Sequence, residues 1–114
     1  MNTREMQLGS RRKKLRDIAS YYGSTTQCRQ CIEECAELIQ AISKWDRAQS
    51  SGDPEKVKTV VSRMVEEIAD VRIMLDQLIY LYGCSEEVDK MIDEKINRHI
   101  VRIGMEIAGG KELE

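Results

Sequence analysis

Two acidic clusters, Glu33-Glu34-Cys35-Ala36-Glu37 and Glu66-Glu67-Ile68-Ala69-Asp70, hold the side chains of this sequence best suited to chemistry. Each sets carboxylates three residues apart inside an otherwise apolar stretch of helical period. A carboxylate drawn into apolar surroundings is costly unless a cation sits beside it. Hard oxygen donors in such a pair of clusters suit a divalent metal.

A helical wheel at about 100° per residue sharpens this expectation. On the first helix concerned, Cys28, Cys31, Cys35, Leu38, Ile39, Ile42 and Trp45 form the apolar stripe. Glu34 and Glu37 fall along its edge, and Glu33 points toward solvent. On the next, Val57, Val60, Val61, Met64, Ile68, Val71, Leu75, Leu78 and Tyr82 form the stripe. Glu67 lies near its centre, Asp70 just beside it, and Glu66 points away. The two clusters stand at matched distances from Ser51-Gly52, so antiparallel neighbours bring Glu34, Glu37, Glu67 and Asp70 to one level. The same reasoning about Gly83-Cys84 sets the second cluster level with Lys95, Arg98 and Arg102, which flank an Ile92, Ile96, Ile103, Ile107 stripe.

The elements that must position these groups read as helices throughout. The chain has 114 residues, no Phe, one Pro and a net charge of −2. That is one domain's worth, with an Ile, Val, Leu and Met core that favours an all-α protein. Gly23 ends a first helix beginning near Ser10. Ser24-Thr25-Thr26-Gln27 reads as a capping box opening a second helix, which runs to about Gln49. Asp53-Pro54 supplies an N-cap and a proline at the first helical position. Gly83 closes that third helix, and Ser85 caps a fourth whose first turn holds Glu86 and Glu87. Gly109-Gly110 ends it. The expected architecture is a four-helix-type bundle, with an N-terminal helix over 1–23 and a helical core over 24–114.

The order Glu33-Glu34-x-x-Glu37, a long spacer, Glu66-Glu67-x-x-Asp70, and then Lys95 and Asn97-Arg98 resembles the MazG-like all-α nucleoside triphosphate pyrophosphohydrolases, over roughly Gln27 to Arg102. The resemblance implies a usually oligomeric helical bundle that binds Mg2+, with Mn2+ an alternative. It implies hydrolysis of an NTP or dNTP between the α- and β-phosphates, giving the monophosphate and pyrophosphate. The implied metal ligands are Glu34, Glu37, Glu67 and Asp70, the four the wheel turns inward. The implied phosphate-binding residues are Lys95, Asn97 and Arg98, with Arg102 on the same cationic face. Magnesium suits this chemistry because it takes carboxylate and phosphate oxygens together and neutralises a leaving pyrophosphate. Glu33 or one of the ligating glutamates is the candidate general base.

Other features have plainer readings. Cys28, Cys31 and Cys35 fall on one helical stripe, where cysteine packs as a small hydrophobe and cannot wrap a zinc tetrahedrally. His99 lies near the Lys95 face. Trp45 is a core or interface residue that could alternatively stack on a base. Arg11-Arg12-Lys13-Lys14 reads as a solvated helix face. The near balance of charge gives no reason to expect nucleic acid, no apolar run spans a membrane, and no secretory signal opens the chain, so the cytoplasm is expected. Helices of this length bury little in a lone short chain, which points to a homodimer or a dimer of dimers. The competing reading is a non-catalytic helical oligomerisation or regulatory module with a salt-bridged core.

Overall fold

The computed structural model describes residues 2–110. Among them all regular structure is helical, in the order α1 (Thr3–Ser51), α2 (Pro54–Tyr82) and α3 (Ser85–Ala108). α1 and α2 belong to one compact unit, which closes at Gly83; α3 belongs to a second. Among the described residues no helix is long and apolar enough to cross a membrane.

α1 starts seven residues before the expected Ser10. Asn2 caps it by accepting from the Glu5 amide at 2.8 Å, while the Asn2 amide donates back to the Glu5 carboxylate at 3.0 Å. This reciprocal box satisfies two helix-end donors at once. Gly9-Ser10 is simply absorbed into the helix.

Gly23 breaks α1 as expected, with φ 84° and ψ 170°. That backbone region is essentially closed to side chains other than glycine's hydrogen. Here the chain doubles back on itself. Before Gly23, Ser20 meets the Tyr80 hydroxyl at 3.2 Å and Arg16 lies over the Tyr80 ring; further back, Leu15 to Thr3 share a groove with Asp76 to Ala69. That half of α1 therefore runs parallel to α2, and the half after Gly23 runs antiparallel to it. Gly23→Ala is expected to cost about 1–3 kcal/mol of stability from backbone strain alone, because an added Cβ meets nothing within 4 Å. Urea denaturation checks this, and an unchanged midpoint would contradict it.

The expected capping box at Ser24 is not used. Gln27 is buried and its side-chain amide donates to the Gln77 carbonyl oxygen at 2.7 Å, so it is committed to packing rather than to the helix end. The α2 start is as expected: Asp53 accepts from the amides of Glu55 and Lys56 at 3.0 and 3.4 Å. α3 corrects the expected cap by one residue. Cys84 occupies the cap position but does not cap the helix through its side chain, and Ser85 is already helical. Gly83, at φ 58°, ends α2 in the left-handed region, and a single residue separates it from the new helix.

The seam between α2 and the second half of α1 differs from the wheel's stripes. On α1 the inward line is Gln27, Cys31, Glu34, Leu38, Ala41, Trp45 and Ala48, alternating steps of four and three. On α2 it is Val57, Val60, Met64, Glu67, Val71, Met74 and Leu78, stepping three and four, with Gln77 buried beside Leu78 at the end of the line. This is a heptad spacing, 3.5 residues per turn, and it selects a narrower line than a free 3.6-residue wheel. The expected core positions Ile39, Ile42, Val61, Ile68, Leu75 and Tyr82 are consequently exposed. Small residues, Ala41 and Ala48, let the backbones approach closely. The pairs Gln27 with Gln77 and Glu37 with Glu67 each stand equidistant in sequence from Gly52, so the register turns on that residue.

Candidate metal centre

The seam carries polar side chains at positions where a coiled coil ordinarily holds aliphatic ones, and two of them are carboxylates. Glu34 comes from the middle of α1's second half and Glu67 from the middle of α2. One step further along each helix, Glu37 and Asp70 point to the same place. One oxygen from each of Glu34, Glu37, Glu67 and Asp70 lies within 4.8 Å of all the others. The four residues the wheel turned inward are the four the fold brings together.

Burial makes this cluster different from surface charge. Glu67 is only 3% exposed, Glu34 and Asp70 are half-buried, and Glu37 is exposed. Glu34 and Glu67 are held alike. One oxygen of Glu34 accepts from the Gln30 amide at 2.9 Å, and one oxygen of Glu67 pairs with the Arg63 Nε at 3.1 Å. Each partner is four residues earlier on the same helix, a spacing that stacks side chains on one face. The second oxygen of each, Oε2, is buried and has no hydrogen-bond partner. A buried, unpartnered carboxylate oxygen costs the full desolvation of a charged group.

Mutual repulsion is visible at Glu37. Its carboxyl is held above the usual range, first by the charge of Glu34, then by that of Glu67, with smaller contributions from burial and from the hydrogen bond its protonated form gives Glu67; Arg63 opposes them. One cation, largely solvated, faces four carboxylates. A divalent ion would complete the set. Opposite oxygens on a single octahedral Mg2+ stand about 4.2 Å apart, and the four oxygens here all lie within 4.8 Å of one another. Hard carboxylate donors of this kind suit Mg2+ or Mn2+.

Gln30 and Arg63 are the residues of the candidate site that the motif pattern does not pick out. Their signal was present, since each precedes a cluster glutamate by four residues, but such pairs are common on solvated helices. Arg63→Ala is expected to weaken divalent binding roughly ten- to a hundredfold, as loss of a ligand-orienting partner typically does. Titration of Mn2+ followed by its electron spin resonance signal would check this, and an unaltered affinity would contradict it.

The remaining candidates are not among the four clustered residues. Glu33 is exposed and outside the set of four. Trp45 is half-buried on the seam, toward the Gly52 end. Lys95, Asn97, Arg98, His99 and Arg102 are all exposed on α3, where Asn97 and Arg98 share one shallow depression with Glu94 and Val101. Cys28, Cys31 and Cys35 are thiols in the seam or beside it: Cys31 is buried 4.0 Å from the Cys35 sulfur, and Cys28 lies 3.4 Å from the Tyr82 hydroxyl. Burial pushes the Cys31 thiol above its ordinary range, helped by Cys35, so it is no ready thiolate. No family model matches the chain, and neither the curated proteins nor the solved structures give a match.

Proposed function

We propose that the chain is a divalent-metal-dependent nucleoside triphosphate pyrophosphohydrolase, with Glu34, Glu37, Glu67 and Asp70 as its metal ligands. The observation that carries this reading is the pair of buried, unpartnered oxygens on Glu34 and Glu67 inside a four-carboxylate cluster. The order of acidic and basic motifs along the chain, and the resemblance it supports, adds the substrate class. Bound Mg2+ would supply charge neutralisation on the phosphates and on the departing pyrophosphate.

The residues of the chain divide the remaining work. Gln30 and Arg63 hold one oxygen of Glu34 and of Glu67 and leave the other without a hydrogen-bond partner. In the hydrolysis, water attacks the α-phosphorus, the bond to the α–β bridging oxygen breaks, and pyrophosphate departs. Glu33 and Glu37 are the exposed carboxylates of α1 that are available to take the water's proton. Lys95, Asn97, Arg98 and Arg102 are proposed as phosphate-binding residues on the resemblance alone. Incubation with a panel of NTPs and dNTPs and Mg2+, with and without chelator, is expected to yield monophosphate and pyrophosphate only without chelator. Nucleotide-like diphosphates belong in the same panel. Failure to release pyrophosphate from any substrate would leave the metal centre without this activity.

The alternative, a regulatory module with a salt-bridged core, fits the cluster less well. Such a core would give each buried oxygen a cation or an amide, whereas among the described residues only one ion pair, Arg63 with Glu67, reaches the four. We also propose that the chain forms a homo-oligomer, a dimer or a dimer of dimers. Ile32, Ile39 and Val65 on the first unit and Ile96, Ile100 and Met105 on α3 are each more than half exposed. Apolar surface of this extent on a soluble chain marks a contact face. Sedimentation at micromolar concentration is expected to show a dimer or larger; a stable monomer would remove this proposal.

A further inference from the structure

We propose that the groove between the first half of α1 and the middle of α2 is an anion-binding site that takes the phosphate-bearing part of a nucleotide, with Arg4, Arg11, Lys14 and Arg72 as its cationic contacts. Naming a nucleotide rests on the functional reading above; the anion site itself stands on the groove's own composition. The groove has a volume of about 1110 Å³, ample for a small-molecule ligand.

Its charge is lopsided. Arg4, Arg11 and Lys14 line it from α1 and Arg72 from α2, against one carboxylate, Asp76. None of the four cations is in an ion pair among the described residues, where the pairs are Lys13 with Asp17 and Arg63 with Glu67. This concentration of free positive charge occurs in a chain of net charge −2. Within the basic run Arg11-Arg12-Lys13-Lys14, helical geometry splits the roles. Arg11 and Lys14, three apart, share the groove face, while Lys13 turns to Asp17 at 2.9 Å. Guanidinium groups bind phosphate oxygens in a planar, bidentate fashion, which a solvated face does not require.

The floor is apolar. Met6, Leu15, Ala69 and Ile73 line the same groove. A ligand with a flat apolar moiety and several negative charges matches both features, and a bare anion matches only one. Around α2, at about 100° per residue, Ala69, Arg72, Ile73 and Asp76 of the groove face away from Glu67 of the carboxylate cluster, so the groove is a second site on the same unit, apart from the metal centre. The first half of α1 supplies three of its four cations, a role the motif pattern did not suggest for it.

The test uses the full chain and three probes, inorganic tripolyphosphate, ATP and a single-stranded oligonucleotide, titrated calorimetrically in chelator so that no metal contributes. Mn2+ binding is measured separately. The wild type is expected to bind ATP more tightly than tripolyphosphate, and both more weakly as salt rises. Arg11→Glu with Lys14→Glu is expected to lose at least tenfold in ATP affinity while Mn2+ affinity and helix content stay unchanged. Arg12→Glu with Lys13→Glu makes the same change in charge off the groove and is expected to lose less than threefold. Equal losses in the two double variants, or no ATP binding by the wild type at millimolar concentration, would overturn the proposal, as would tighter binding of the oligonucleotide through Arg11 and Lys14. Groove binding that persists when Mn2+ fails to bind would retain the anion site and dismiss the metal centre; the reverse pattern would do the opposite.

Discussion

Replacing Glu67 by glutamine is expected to abolish divalent-metal binding and to reduce metal-dependent pyrophosphate release at least a hundredfold, while leaving the helical hairpin folded. Loss of a partner that merely orients a ligand already lowers affinity about ten- to a hundredfold, and Glu67 is placed as a ligand itself. It is the most buried of the four carboxylates and presents an unpartnered oxygen to the others. The substitution keeps the side chain's shape, removes its charge and adds an amide that can donate to the neighbouring carboxylates. The chelated variant should therefore melt at a higher temperature than the chelated wild type. The wild type, in turn, should gain roughly 10 °C or more when metal is added at about a hundred times its dissociation constant, and the variant should gain nothing. Scanning calorimetry with and without Mg2+ or Mn2+ reads both effects. A variant that keeps the metal-induced shift would show that the cluster is not the metal's site.

The second large effect concerns stability and lies at the other end of the same seam. Gln77 is 2% exposed, and its carbonyl oxygen receives the Gln27 amide at 2.7 Å while its own amide reaches the Ile73 carbonyl at 3.4 Å. Gln77→Ala is expected to cost about 2–4 kcal/mol, because it leaves a cavity and strands the buried Gln27 amide. Replacing both glutamines by leucine is expected to cost far less, since no buried polar group is then left unpaired. Urea denaturation of the two single variants and the double variant gives the coupling directly. Additive losses would mean that the pair contributes nothing as a pair. The amide pair and the acidic cluster are centred on the same residue, Gly52, so polar groups at seam positions hold the antiparallel register that aliphatic side chains leave free to slip.

How much of this was legible beforehand differs from residue to residue. Asp53-Pro54, Gly52 and Gly83 announced their turns because capping and left-handed glycines act within a few residues of chain. The four inward carboxylates were legible because helical spacing and the distance to a turn are properties of sequence separation. The apolar stripes were misplaced for a related reason. A wheel drawn on one helix finds the centre of its hydrophobic side, whereas Ile39, Val61 and Ile68 lose that contest once two helices pack at heptad spacing. Asn2 was overlooked as the cap of α1, although its partner Glu5 stands at the proper distance. Ser24 was credited with a cap because Gln27 follows it by three, and only the Gln77 contact reveals what Gln27 does instead.

By itself the sequence determined helical content, the positions of the reversals and the convergence of Glu34, Glu37, Glu67 and Asp70, since each depends on local backbone preference or on counting residues from a turn. Tertiary structure alone decided that the second carboxylate oxygen of Glu34 and of Glu67 is buried without a partner. It also decided that the first half of α1 folds back along α2, turning Arg11 and Lys14 from solvated charges into the wall of a groove. Those outcomes depend on which face of one helix meets another, and that choice is made by close packing between elements distant in the chain.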